Sequence, residues 1–269
     1  MAGPEFAAAC KPWDDYEKPA PPVRIFGNTY LVGTCGISSI LITDPAGDIL
    51  IDGGTDADAD LIADNIRKLG FQPSDVKVLL NSHEHYDYVG GLAKLQRMTG
   101  AQLYASPAAA EVLRSGHPSR DDPQFGVLKS FPPSRVDHIL RDGEQVRLGN
   151  NVLIAAATPG HTAGAISWHW GSCQNGVCRQ IVYADSLSAV SSPTYRFSDH
   201  PAWVAAFRAS IAKVAALPCD ILLTPHPSAS RMIERLSLGE ELDDPNACRD
   251  YAAGLTKALD ERLAKEKGK

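Results

Sequence analysis

Short apolar runs punctuate this chain, each stopping at a polar turn, and three of those turns carry histidine. "VKVLLNSHEHYDYVGG" leaves an apolar run and then alternates His83, His85 and Asp87. "NVLIAAATPGHTAG" puts His161 in a Pro-Gly turn, and "ILLTPHPS" reaches His226 directly after its run. Such runs, rich in Val, Ile and Leu and bounded by Gly, Pro, Asn or Asp, read as buried strands. Core packing does not require histidine at three strand ends.

On an extended segment His83 and His85 point the same way, and Asp87 continues the alternation. Zinc takes imidazole nitrogen and carboxylate oxygen, and a catalytic zinc site uses about three protein ligands with one position open. A lone histidine is better read as a satisfied core residue. Four of the eight histidines at strand-end turns point instead to metal. The others, His117, His138, His169 and His200, have no such setting. His169 lies in the alternating "SWHWG", where packing or surface exposure is the better reading, and His117 lies in a polar loop.

Residues 1–22, rich in Pro, Ala and charge, read as an irregular N-terminal arm. "TYLVG", "SSILITD", "DILIDGG" and "VKVLLNS" then read as strands, with a helix over "DADADLIADNIRKLGF", where Leu61, Ile62, Ile66 and Leu69 have helical spacing. "GLAKLQRMTG" and "PAAAEVLRSG" read as helices around the strand "AQLYAS". The second half repeats the theme. "EQVRLG", "NVLIAAAT", "AISWHW" and "RQIVYAD" are followed by the helix "PAWVAAFRASIAKVAAL", the strand "DILLTPH" and a terminal helix. Two such halves predict two sheets face to face with helices outside. No Gly/Ser-rich linker divides them, so residues 23–269 are expected to form one domain.

The net charge of -6 and the absence of a long basic run argue against nucleic acid as a partner. No run of 18 apolar residues occurs, so no membrane insertion is expected. "MAGPEFAAACKPW" lacks the basic start and apolar centre of a signal peptide, and its "GPEF" looks like a cloning scar. The expectation is a mature, exported protein, periplasmic or secreted, expressed without its leader. Six cysteines, Cys10, Cys35, Cys173, Cys178, Cys219 and Cys248, suit an oxidising compartment. They allow fifteen pairings, and no Cys-x-x-Cys suggests a zinc cluster. Cys173–Cys178 is the most local pair; sequential pairing would add Cys10–Cys35 and Cys219–Cys248, tying each terminus to the body. No Walker loop, GxGxxG after a strand or GxSxG elbow is present.

"SHEHYDYVGG", "TPGHTAG", "YADSLSA" and "TPHP", in that order after "ILIDGG", resemble the metallo-β-lactamase superfamily, and within it the subclass B3 β-lactamases. The resemblance runs from about Ile25 to the terminal helix. It implies an α/β fold, a four-layer αββα sandwich, with a shallow groove at one edge between the sheets. It implies a first zinc on His83, His85 and His161, and a second on Asp87, His226 and position 88. The family has histidine at that position; this chain has Tyr88. A neutral phenol is a poor zinc ligand, with a reference pKa of about 10, so one or two zinc ions per chain are expected, the second held more weakly. Asp52 is implied to shape the metal loop. Ser186 and Ser188 are implied to hydrogen-bond near the second site and the substrate carboxylate, with Asp185 a reserve ligand.

The implied activity is hydrolysis of the β-lactam amide of penicillins, cephalosporins and carbapenems by metal-bound hydroxide, giving antibiotic resistance. Asp87 would orient the nucleophile and move protons. Gln124, in the loop "SGHPSRDDPQFG", is a candidate contact to this small-molecule partner, and a monomer is expected. The alternatives are a lactonase or thioesterase on the same fold, and a non-catalytic zinc-binding relative.

Overall fold

A computed structural model describes residues 3–238 and 242–268. The apolar runs become two sheets. The first takes β1 (Val23–Phe26), β2 (Thr29–Leu31), β3 (Ile40–Ile42), β4 (Asp48–Ile51), β5 (Val76–Leu80), β6 (Gln102–Ala105) and β7 (His138–Ile139), side by side in chain order. Its first four strands form an antiparallel meander; β4 to β7 are parallel. Parallel neighbours need crossover connections, here the helices α2 (Ala59–Lys68), α3 (Tyr86–Val89), α4 (Leu92–Thr99) and α5 (Pro107–Ser115). Pro107 opens α5 at its first turn, and the Ser106 hydroxyl caps it by accepting the Ala109 N–H at 3.2 Å.

The second sheet contains β8 (Gln145–Leu148), β9 (Asn151–Ala157), β10 (Ile166–Gln174), β11 (Val177–Tyr183) and β12 (Ile221–Leu223), with β12 lying parallel beside β11. Helices α6 (Pro201–Ala216), α7 (Met232–Ser237) and α8 (Ala247–Lys267) complete the fold.

Strand periodicity sorts the core into layers. Ile40, Ile42, Ile49, Ile51, Val78 and Leu80 meet Leu153, Trp168, Trp170, Ile181, Tyr183 and Leu223 between the sheets. The alternate residues Leu41, Leu50 and Leu79 face α2, α4 and α5 through Ile62, Ile66, Leu92, Leu95 and Leu113. On the far side Val182 and Leu222 pack with Phe207, Ile211 and Val214 of α6 and Ala252 and Leu259 of α8. This is the expected αββα sandwich, and it explains why the strands read as continuous apolar runs: both faces are buried. The two buried indoles span the sheets, Trp168 Nε1 donating to Asn81 O at 3.0 Å and Trp170 Nε1 to Thr29 Oγ1 at 3.2 Å. Each side chain buries on the order of 200 Å², several kcal/mol of transfer free energy, without leaving an N–H unpaired.

The arm corrects one expectation. It is irregular from Cys10 onward, but Gly3–Ala9 form α1, whose buried Phe6 joins the core beside α7. Its alanines supply helix propensity, and packing of Phe6 supplies the rest. The cysteines pair sequentially as Cys10–Cys35, Cys173–Cys178 and Cys219–Cys248. Closing loops of 25 and 29 residues, the first and third bonds each restrict the unfolded chain by about 3–4 kcal/mol.

Strand direction places the site. β4 and β5 run together, and so do β9, β11 and β12, so the residues after Ile51, Leu80, Ala157, Tyr183 and Leu223 gather at one edge. There the Ile166 N–H donates to Ser82 O at 2.7 Å, joining the sheets.

Candidate metal centre

His83, His85 and His161 are buried, and one ligand atom from each lies within 4.8 Å of the other two. Hydrogen bonds on the outer side of each ring decide which nitrogens converge. His83 Nδ1 lies 2.7 Å from Asp185 Oδ1, His85 Nε2 lies 2.9 Å from Asp122 Oδ2, and His161 Nδ1 lies 2.9 Å from Ser188 O. Carboxylate and carbonyl oxygens only accept, so each imidazole donates there and keeps its lone pair on the other nitrogen. The chain thus aims Nε2 of His83, Nδ1 of His85 and Nε2 of His161 at one another. Burial first, and the neighbouring imidazoles second, push His83 well below the ordinary histidine range; the same causes bring His161 to about 3. Both rings are neutral donors at pH 7. Burial also depresses His85, but the bond to and charge of Asp122 outweigh it and raise that ring, so a cation taking its Nδ1 lone pair competes there with a proton.

His83 Nε2 is fully buried with no hydrogen-bond partner. An orphaned buried acceptor costs about 1–3 kcal/mol. A cation facing three converging lone pairs removes that cost, and three imidazoles are a donor set that suits zinc. The residues fit the metal.

The surrounding loops are fixed by buried carboxylates. Asp52 accepts the Ser82 N–H and the Tyr183 hydroxyl, both at 2.7 Å, holding the turn into His83 as expected. Burial pushes Asp52 up to about 7. Glu84 accepts from the Thr162 hydroxyl at 2.7 Å and the Gly164 N–H at 2.9 Å, so the loop bearing two histidines grips the turn bearing the third. Gly164 must lack a side chain: a Cβ there would lie 2.5 Å from Ala109 N and 2.7 Å from Glu84 Oε2.

Asp87, Tyr88 and His226 line the same groove of about 470 Å³, with Gln124, Ser186, Ser188 and Lys129 on its walls. His226 Nδ1 donates to Gly36 O at 3.0 Å, which leaves its lone pair on Nε2. Tyr88 does not stand aside from it: its hydroxyl lies 2.9 Å from that Nε2. Burial, then the charge of Asp87, hold the Tyr88 phenol well above 10, so it is protonated and donates.

Asp185 differs from its expectation as a reserve ligand. Fully buried, it spends Oδ1 on His83 Nδ1, the side of that ring away from the lone pair, so it orients a ligand instead of supplying one. Ser186 and Ser188 reach the groove, but Ser188 also holds His161 through its carbonyl. Among the remaining histidines, His117 pairs with Ser130, His138 with Glu144, and His200 stacks on Tyr195. Asp122, Glu84 and Lys129 were not picked out from sequence. For Glu84 the signal was its place between the two histidines; Asp122 and Lys129 sit in an irregular loop with no periodicity to read.

The sequence profile of the metallo-beta-lactamase superfamily matches residues 32–226. Among solved structures, the MIM-2 metallo-β-lactamase is 55% identical with a TM-score of 0.95, covering 99% of this chain and 98% of that one. The metallo-β-lactamase MIM-1 from Novosphingobium pentaromativorans is 49% identical, TM-score 0.95, covering 98% of both. MEM-A1, a subclass B3 metallo-β-lactamase from a soil metagenome library, is 45% identical, TM-score 0.91, covering 94% of this chain and 99% of that one. A more distant relative, the hydroxyacylglutathione hydrolase of Fuscovulum blasticum, is 30% identical over 54% of this chain and 46% of its own. This chain spans about half the length of the curated relatives it matches.

Proposed function

Because the chain belongs to the metallo-β-lactamase superfamily, we propose that it is a zinc-dependent hydrolase that opens the β-lactam amide of penicillins, cephalosporins and carbapenems. The observation that carries this reading is the convergence of ring nitrogens from His83, His85 and His161 beside a groove that His85 and His161 line, each ring fixed by a partner behind it. Zinc held by His83, His85 and His161 would supply Lewis acidity, to polarise a carbonyl and to bring the pKa of water towards neutrality. The Asp87 carboxylate, on the groove wall beside His85 and His161, orients the attacking water, accepts its proton and returns it to the leaving amide nitrogen. Ser186 and Ser188 donate to the substrate carboxylate, and Lys129, the one lysine or arginine among the described lining residues, supplies the opposite charge. Gln124, whose Nε2 lies 3.4 Å from His161 Nε2, contacts the reacting amide.

Asp87 and His226 are the residues that would hold a second zinc, weakly because Tyr88 is not an imidazole. The three disulfides favour an exported, periplasmic or secreted protein. It acts as a monomer through one domain, residues 23–269 together with the N-terminal arm that packs Phe6 into its core.

The test is a panel of a penicillin, a cephalosporin, a carbapenem, a lactone and a hydroxyacyl thioester, each assayed before and after chelation. Chelator-sensitive β-lactam turnover is expected. Turnover of thioester alone would favour the activity named for the hydroxyacylglutathione hydrolase relatives. A zinc-loaded protein inert to the whole panel would favour a non-catalytic relative.

A further inference from the structure

Tyr88 does more than lack an imidazole. Its hydroxyl reaches Nε2 of His226 at 2.9 Å, and it has no other hydrogen-bond partner among the described residues. Because His226 Nδ1 donates to Gly36 O, Nε2 carries the only lone pair of that ring. Contacts hold the partners on both sides. Tyr88 is 1% exposed, its ring lies 4.3 Å from that of His83, and its carbonyl accepts the Gly53 N–H at 2.7 Å. Trp13 and Tyr16 of the N-terminal arm flank the His226 ring at 5.9 and 5.2 Å, and the Cys10–Cys35 bond anchors that arm one residue from Gly36.

We infer that the Tyr88–His226 hydrogen bond is a lock on the second cation seat: a cation that is to use His226 must first displace the phenol. The inference rests on the zinc reading of this groove. It differs from simple loss of a ligand and from ligation by phenolate, and the three accounts predict different behaviour when the hydroxyl alone is removed. If Tyr88 is merely an absent ligand, Tyr88→Phe leaves the second affinity unchanged. If the phenolate ligates, Tyr88→Phe weakens it. If the hydroxyl locks His226, Tyr88→Phe tightens it, by roughly three- to tenfold, the worth of one neutral hydrogen bond.

Zinc is titrated calorimetrically into the full, oxidised, metal-free chain, and cobalt(II) binding is followed by its visible absorption. The parent is expected to bind one ion tightly and a second weakly, Tyr88→Phe to bind the second three- to tenfold more tightly, and Tyr88→His to bind two ions tightly. An unchanged or weakened second affinity in Tyr88→Phe overturns the lock, and a single ion in Tyr88→His overturns Asp87 and His226 as the second seat. Should Tyr88→Phe fail to fold, nitrogen NMR of the metal-free parent decides: His226 protonated at Nδ1 upholds the lock, and protonation at Nε2 overturns it. No β-lactam enters these titrations, so absent turnover counts against the functional reading alone, whereas absent binding of the first zinc counts against both.

Discussion

Asp122 Oδ2 accepts the Nε2–H of His85 at 2.9 Å, and this one contact fixes which nitrogen of the ring faces His83 and His161. Carboxylates behind metal-binding imidazoles set both tautomer and basicity. Replacing Asp122 by Ala is expected to weaken the tight metal site about 10- to 100-fold. Competition against a chelating dye reads this directly, and an affinity equal to the parent's would remove Asp122 from the centre.

Dialysis should leave about one zinc per chain, with β-lactam turnover rising as zinc is added back, since a site that loses one of three ligands holds metal less tightly. Metal content by atomic emission and imipenem hydrolysis across a zinc series measure the two together. Two firmly retained ions and a flat response would sink this expectation.

Lys129 stands in a groove whose other charged walls include Asp15, Glu17 and Asp87, and its Nζ lies 5.1 Å from the centre of the Tyr86 ring. A substrate carboxylate has few other counter-charges here. Lys129→Ala should raise KM for β-lactams about two- to fivefold, the scale of a partly exposed ion pair, with little change in kcat. A fall in kcat at constant KM would place Lys129 in the chemistry instead.

Asp52 gives a pH signature in the metal-free protein. Burial lifts its folded value from 3.8 to about 7, so between these values the folded state holds a proton that the unfolded chain releases. Stability therefore falls as pH rises through this window, by at most about 1.4 kcal/mol per pH unit from this group. Asp48 and Asp58, each raised to about 6 chiefly by burial, add in the same direction. His83 and His161, held neutral by burial, pull the other way in both proteins, so urea unfolding at intervals from pH 4 to 7 should show stability changing more positively with pH in Asp52→Asn than in the parent. Parallel profiles would falsify the assignment.

The sequence was most informative where geometry is periodic. His83, His85, His161 and His226 were legible because each follows an apolar run whose end had to emerge from the sheets. The layer order was legible for the same reason, as Ile40, Leu41 and Ile42 alternate between two cores. Asp122 was not, because its loop has no repeat and its meeting with His85 spans 37 positions. Asp185 was visible as a strand-end carboxylate, but only the fold shows it turned towards the back of His83. Helix α1 was masked by a composition that ordinarily stays irregular, and it forms because Phe6 finds a place in the core.

His83 and His85 leave the first sheet, while His161 leaves the second. Neither sheet alone owns a complete ligand set. A chain whose halves have formed but not yet docked offers a metal two imidazoles on one side and one on the other, both poor sites. A metal ion held by all three would therefore be taken up tightly only once the sheets have docked, as a rivet across the seam between two half-molecules. Stripping such an ion should loosen that seam before it disturbs either sheet.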